Sequence, residues 1–361
     1  MKRVLCFVMC AVLWAGLAQA QGVTTGSLSG VVKDPDGAVV PGVTVVAVLE
    51  ATNTRYATVT DASGRFRILN VRVGGPYRVE ATLAGFQTAT ATDTFVRLGE
   101  DTNLSFNLQL EAATGEILVV SESSPLIGPL KMGSASSVSQ ASLAALPSTD
   151  RNLYDFARTN PVMSTYSPGE DSTILSVAGR NNRFNNISID GAVNNDVFGL
   201  AGSGTPGGQT TAQPISLDAV QELQLVTSSY DVRQGGFTGG SLNVITKSGT
   251  NDLSGSVYGY YADDSFVSDN EDLGAIGTFD DTEYGFTLGG RIIRDKLFFF
   301  VGYETRDLSQ PTGFSLDGSG GTCYQNCGFT AQAEQLRQYM ISTYQYDPGG
   351  TEQVTRETPN D

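Results

Sequence analysis

Between residues 26 and 110 the apolar positions come in short β-branched runs with a turn signature between them. "GSLSGVVKD" runs into "DPDG" at 34–37, "GVTVVAVLE" and "TRYATVTD" follow, "DASG" at 61–64 precedes "RFRILNV", and "YRVEATLAGF" and "NLSFNLQL" close the series. Asp, Asn and Gly supply the left-handed backbone positions that hairpins need. Turn signals at this spacing predict a β-sandwich of about seven strands in about 90 residues. No helix-period segment interrupts them.

Past residue 111 the pattern changes. "EAATGEILVVSESSPLIGPLKMGSASSVSQASLAALPS" is rich in Ser, Ala and Pro, and only "EILVV" is strongly β-prone. Glu116, Ile117, Leu118, Val119 and Val120 read either as a last sandwich strand or edge-pairing linker, or as an extended peptide that donates itself to a partner's sheet. "LPSTDRNLYDFARTNPVM" at 146–163 predicts a short helix, and "STILSVAGRNNRFNNISIDGAVNND" predicts two strands around an Asn-rich turn. Residues 194–214 are Gly-rich without an apolar period, which predicts a mobile loop. "SLDAVQELQLVTSSYD" then places a helix start at Ser216 or Asp218 before a strand through Gln224 and Val226. Together these segments describe a compact α/β unit.

The last third alternates with a two-residue period. In "EYGFTLGGRII", Tyr284, Phe286, Leu288 and Ile292 fall on one face, with Glu283, Gly285, Thr287 and Arg291 on the other. "KLFFFVGYETR" groups Leu297, Phe299, Val301 and Tyr303 against Lys296, Phe298, Phe300, Gly302 and Glu304. A strand from 253 to 262, a long connection over 263–282, and a tight turn at Arg294 and Asp295 match the long-outside, short-inside loops of a membrane barrel. In such a wall Phe299 faces lipid, whereas Phe298 and Phe300 point inward. Bacterial barrels need at least about eight strands, and three are countable. An open edge in hydrocarbon leaves backbone groups unpaired, so the expectation is the N-terminal part of a longer protein. The 263–282 connection is crowded with carboxylates and reads as a solvated face or, more sharply, a calcium site. The chain from 307 is polar and Gly-rich, with a helical stretch around "AQAEQLRQYM", and reads as another outer excursion.

Composition narrows the chemistry. A net charge of −16 and no Lys/Arg-rich run argue against nucleic acid as a partner. The absence of histidine removes Ser-His-Asp and Cys-His catalysis and imidazole-bound zinc, which leaves paired carboxylates as the remaining hydrolytic device. Lys2 and Arg3, an apolar run over 4–17 and Ala18-Gln19-Ala20 form a secretory signal over residues 1–20. Its removal takes Cys6 and Cys10 with it and leaves Cys323 and Cys327, which read as a loop disulfide in an exported protein. Gly202-Ser203-Gly204-Thr205-Pro206-Gly207 matches G-x-G-x-x-G but has neither the preceding strand nor the helix that binds a pyrophosphate. No cofactor and no metal is expected.

Two resemblances join these pieces. "GVVKDPDGAVVPGVTVVAV", "TVTDASGRFRILNV" and "YRVEATLAGF" resemble the carboxypeptidase regulatory-like domain, a non-catalytic transthyretin-like sandwich. "ISIDGAVNND", "AVQELQLVTSSYDVRQGGFTGGSLNVITKSGTND" and "RIIRDKLFFFVGYE" resemble the plug and first barrel strands of TonB-dependent outer-membrane receptors of the Oar-like type. The resemblance implies a mainly β protein: signal peptide 1–20, sandwich 21–111, linker 112–124, α/β plug 125–250, and the incomplete start of an antiparallel transmembrane β-barrel over 251–361. It further implies a non-enzymatic receptor or transporter in the outer membrane, with the sandwich in the periplasm. Its partners would be TonB, outer-membrane lipids and an extracellular ligand such as a glycan, siderophore or peptide. Glu116 to Val120 become the candidate TonB box. The rival reading is a secreted or surface carbohydrate-binding or structural protein built on the sandwich.

Overall fold

A computed structural model describes residues 24–111, 119–122, 133–148, 151–166, 173–208, 212–229, 234–266, 279–311, 330–348 and 355–360. The first seven strands are β1 (Thr25–Lys33), β2 (Thr44–Leu49), β3 (Thr54–Val59), β4 (Arg65–Arg72), β5 (Gly74–Thr82), β6 (Ala89–Val96) and β7 (Asp101–Asn107). With β8 (Val119–Glu122) they make two four-stranded sheets, ordered β4-β1-β7-β8 and β3-β2-β5-β6. Alternation selects the core between them. Leu28, Val45, Tyr77, Val79, Leu104 and Phe106 are fully buried, while Arg65 and Arg67 point away from it. The alternation slips in β4, at exposed Leu69 and at Asn70, whose φ of 57° is left-handed. Asn tolerates that conformation, and the slip matches a register shift between Gly26 and Leu28 on β1.

The sandwich turns follow from side-chain acceptors. Asp34 accepts the amides of Asp36 and Ala38, and Asp61 repeats the arrangement with Ser63 and Arg65. These contacts, led by the Ser63 hydroxyl, hold the Asp61 carboxyl below its ordinary range. Gly64 is required at its turn: φ is +68°, and an added Cβ would lie 2.8 Å from that of Val39.

The second unit begins with β9 (Gly133–Ser139) and α1 (Gln140–Ala145), capped by the Ser139 hydroxyl. A helix expected within 146–163 forms as a 3-10 helix, Leu153–Thr159, preceded by the separate α1. Pro147 explains the interruption, because the residue before a proline is pushed out of helical backbone, and Leu146 is extended at ψ 133°. Asn152 caps the restart. β10 (Met163–Tyr166) and β11 (Ile174–Val177) form a separate pair. β12 (Asn186–Ile189), β13 (Ala192–Val193), β14 (Val220–Ser229) and β15 (Ser241–Thr246) complete a five-stranded sheet ordered β13-β12-β15-β14-β9. The strands expected around the Asn-rich turn are β11 and β12, which belong to different sheets. Ser216 caps a 3-10 helix, Leu217–Ala219, ahead of β14, as its sequence requires.

The loop expected to be mobile at 194–214 contains a tied turn. Asp196 accepts the amides of Phe198, Leu200 and Ala201, which lowers its carboxyl pKa. This presents Val197, Phe198 and Leu200 to solvent. A polar anchor holds apolar side chains outward, which a hydropathy pattern does not encode.

The third unit is an open antiparallel sheet, β16-β17-β18-β19, of β16 (Ser254–Asp263), β17 (Asp280–Ile293), β18 (Leu297–Pro311) and β19 (Thr355–Asn360). Tyr284, Phe286 and Leu288 face outward and exposed, whereas Glu283 and Thr287 are buried on the inner face. The two-residue period therefore holds along β17. Phe298, Phe299 and Phe300 are all half-buried. Phe300 lies opposite Gly289 on the inner face, where a Cβ at Gly302 would sit 3.9 Å from its ring and 4.0 Å from the Ala219 methyl. Phe298 shares that side by register and Phe299 the other. The turn after β17 is fixed by a reciprocal pair: Asn251 Nδ2 donates to Asp295 Oδ1 at 2.8 Å, and the Asp295 amide donates to Asn251 Oδ1 at 3.0 Å. Just before it, the chain passes so close to the wall that a Cβ at Gly249 would lie 2.1 Å from the Phe299 carbonyl.

One expectation is corrected here. The region after 307 is not wholly an outer excursion: β18 continues to Pro311, and β19 returns beside it as a fourth strand. "TRETPN" is short and carries a proline, so neither alternation nor propensity marks it as a strand. The helix around "AQAEQLRQYM" is α2 (Thr330–Tyr344).

The outer face of this sheet carries a direct expectation. Leu288→Arg should cost about 2–4 kcal/mol if Leu288 faces the hydrocarbon centre, and Thr282→Arg about 0–1 nearer the rim. Folded yield in outer-membrane preparations, read by heat-modifiable gel mobility, should fall for the first and hold for the second.

Candidate functional site

The α/β unit meets the inner face of the sheet through one cation. Arg151 precedes the 3-10 helix in a left-handed backbone conformation, φ 50°. Its guanidinium pairs with Asp218 of the same unit and with Glu283 of β17, and Glu304 of β18 lies 3.9 Å away. The rings of Tyr260 and Tyr258 approach it at 4.2 and 5.0 Å to their centroids. Ser216 Oγ and Tyr258 Oη each donate to Glu304 Oε2 at 2.7 Å. Planar fork geometry and aromatic stacking favour arginine at such a position. Nothing is aligned for nucleophilic or proton-transfer chemistry. The arrangement holds two bodies together by charge.

A second junction joins the α/β unit to the sandwich. Leu98, fully buried between β6 and β7, has both backbone groups bound by side chains of β14. Its amide donates to Glu222 Oε1 at 3.0 Å, and its carbonyl accepts from Gln224 Nε2 at 2.6 Å. Gln224 is oriented in turn, because Asn243 Nδ2 donates to its Oε1 at 3.0 Å. Asn243 Oδ1 accepts from both Ser188 and Ser241. The row continues through Asn186 Nδ2 to Ser241 Oγ and Asn195 Nδ2 to Asn186 Oδ1. Polar side chains thus connect the loop after β13 to the sandwich. Val73, Leu98 and Ile245 form a small apolar contact beside this row. Arg97 reaches Ser137, Arg72 reaches Ser248, and the Asn251 amide donates to Ala51 O. A cavity of about 340 Å³ opens at the same boundary, lined by Thr52, Arg72, Asp190, Gln221 and Thr246 among others.

The structure brings together few of the residues singled out by sequence. Glu116, Ile117 and Leu118 of the candidate TonB box lie outside the described residues. Val119 and Val120 begin β8, antiparallel to β7, with Val119 opposite Phe106 and Val120 opposite Ser105. Cys323 and Cys327 also lie outside the described residues, as does the signal segment. No group of three or more acidic, Cys or His side chains suited to a metal occurs among the described residues. The G-x-G-x-x-G stretch sits in turns, where Ser203 O accepts from Tyr154 Oη. Arg151, Leu98, Glu222 and Gln224 carry the two junctions and were not singled out. The inward assignment of Glu283 and Glu304 by alternation was the one available signal.

Comparison with known proteins adds a lineage to this geometry. Residues 27–109 match the family described as carboxypeptidase regulatory-like domain, and residues 245–360 match the outer membrane beta barrel domain. Over 314 residues the chain is 26% identical to the TonB-dependent transporter Oar of Myxococcus xanthus, which covers 80% of this chain and 28% of that protein. The chain therefore spans little more than a quarter of that relative's length. Among solved structures, the siderophore receptor PirA from Acinetobacter baumannii overlaps 48% of this chain and 24% of its own, at 18% identity and a TM-score of 0.37. The outer membrane transporter YddB from Escherichia coli overlaps 49% and 26%, at 16% identity and 0.40. Overlaps this partial carry no weight for function.

The Arg151 cluster makes a testable claim about cohesion. Arg151→Ala leaves Asp218 and Glu283 facing each other without a cation and should destabilise the packed state by about 3–5 kcal/mol. Arg151→Lys should recover only part of this, since an ammonium cannot fork between two carboxylates. Thermal unfolding and protease cleavage of the α/β unit in membrane preparations report both.

Proposed function

We propose that this chain, a relative of the TonB-dependent outer-membrane receptors of the Oar-like type, forms the plug and first wall strands of a receptor or transporter for an extracellular ligand. It carries a carboxypeptidase regulatory-like domain followed by an outer-membrane β-barrel domain, and the outer membrane is its location. The observation that carries the transport reading is the two-solvent wall. β17 turns Tyr284, Phe286 and Leu288 outward, and its inner face is occupied by the α/β unit through Arg151. A unit held inside a membrane wall by ion pairs blocks passage while seated. The wall is kept apolar outside and polar inside only where the plug supplies partners.

In this reading the sandwich lies on the periplasmic side. The Asn251–Asp295 turn, next to the sandwich contact at Ala51, marks that end. The Asp196-tied turn lies at the other end of the plug sheet and offers Val197, Phe198 and Leu200 to a ligand with apolar surface. The ligand class is a glycan, a siderophore or a peptide. TonB would engage Glu116 to Val120 by strand addition, a mode that draws on backbone groups and tolerates varied side chains. The β-prone sequence supports that placement; because Val119 and Val120 pair with β7 as a last sandwich strand, engagement by TonB would have to displace β8 from that edge. The relative aligned over most of the chain is a transporter, and the reading assigns no enzymatic step.

Two measurements on the full-length protein test this. It should fractionate with the outer membrane, and recovery in the periplasm or medium would instead support a secreted binding protein. Val119→Pro, which removes a strand amide, should lower capture by the purified TonB C-terminal domain by about tenfold, equivalent to roughly 1.4 kcal/mol. Unchanged capture would move the TonB segment elsewhere.

A further inference from the structure

We propose that the sandwich is fastened to the plug by a proton-linked latch, in which the dry junction over Glu222 of β14 holds when that carboxyl is protonated and is weakened when it carries a charge that the junction shuts off from water. The geometry is unusual for two domains in contact. Glu222 and Gln224 lie two residues apart on one face of β14, and together they bind the amide and the carbonyl of a single residue, Leu98. The pair of side chains does the work of a neighbouring strand. Gln224 cannot turn its amide around, because Asn243 already donates to its oxygen. The hold on the Leu98 carbonyl therefore does not itself change with pH, and the variable element is Glu222.

Glu222 is 4% exposed and sits beneath the sandwich. Three groups face it. Arg97 and Glu100 come from the segment between β6 and β7, with opposite effects on a carboxylate, and Ser137 comes from β9. Burial outweighs the Leu98 amide and the Arg97 charge, so the carboxyl titrates at about 7 in place of 4.5. The sign follows from linkage. The docked state binds the proton more tightly than the undocked state, in which water solvates Glu222. Docking is fully supported below about pH 4.5, weakens as pH rises through about 7, and stays level above it. The printed shift corresponds to a docking constant that changes on the order of 100-fold over that window.

Release uncovers Leu98, Val73 and Ile245, a small apolar patch. The Arg97–Ser137 and Arg72–Ser248 contacts then separate as well. The cavity of about 340 Å³ at the boundary would widen. The latch thus makes the periplasmic module's attachment depend on ambient acidity. It does not depend on the nature of the ligand.

The test is hydrogen exchange at the amide of Leu98 in the full-length protein in detergent, with protection corrected for the intrinsic rate at each pH. Protection in the unmodified protein should fall on the order of 100-fold between pH 5 and pH 8.5. Glu222→Gln keeps the acceptor oxygen and should remove the pH dependence. Arg97→Gln should move the midpoint up and Glu100→Gln should move it down, since one removes a stabilising charge and the other a repelling one. These two variants remain informative even where Glu222→Gln fails to fold. Identical pH profiles in the unmodified protein and Glu222→Gln, or midpoints that ignore both neighbouring charges, would overturn the latch.

Discussion

Arg151 holds a position on which the two sides of the wall depend. The inner face of the sheet carries two carboxylates, Glu283 and Glu304, beside the inward-facing Phe300. These carboxylates on neighbouring strands, one buried and one half-buried, repel each other and are costly to desolvate without a cation. The guanidinium, stacked with Tyr258 and Tyr260 and anchored at its far side by Asp218, compensates both strands at once. The position of the α/β unit follows from this. Ser216 reaches Glu304, Ala219 comes near Gly302, and the chain leaving β15 slides past the wall where only a glycine fits at 249.

The inner strands of the α/β unit's sheet are buried on both faces, by different means. One face of β14 carries Leu223 and Leu225 into an apolar core with Leu153, Phe156 and Leu242. The other carries Glu222 and Gln224 beneath the sandwich, where the buried polar atoms are satisfied by the Leu98 peptide and by Asn243. Such a network is stable only when every member has a partner. The consequence is mechanical: the sandwich is joined to the α/β unit by specific hydrogen bonds as well as by a modest apolar contact, so the two move together unless those bonds break.

Strand addition recurs in this chain. β8 completes a sheet of the sandwich, and β19 adds to the growing wall. In both, a short segment with little side-chain information finds a ready backbone edge. Edges of this kind accept many sequences because the ladder is made by main-chain groups.

The sandwich strands, the turns at 34–37 and 61–64, and the inner and outer faces of β17 were legible in the sequence. Each is set within a few residues, by alternation or by an Asp and Gly at fixed offsets. The break after α1 was not anticipated, although Pro147 held the information. Other features had no local signal at all. "VQELQLV" reads as a strand with one solvated face, and only the arrival of the sandwich turns that face into a buried junction. Arg151 is an ordinary loop arginine until the fold brings residues 218, 283 and 304 around it. Sequence by itself determined which backbone each segment adopts and which face of it is apolar, because those depend on neighbours a few positions away. Tertiary structure alone decided which polar groups meet, because desolvation and charge pairing depend on residues from tens to more than a hundred positions apart.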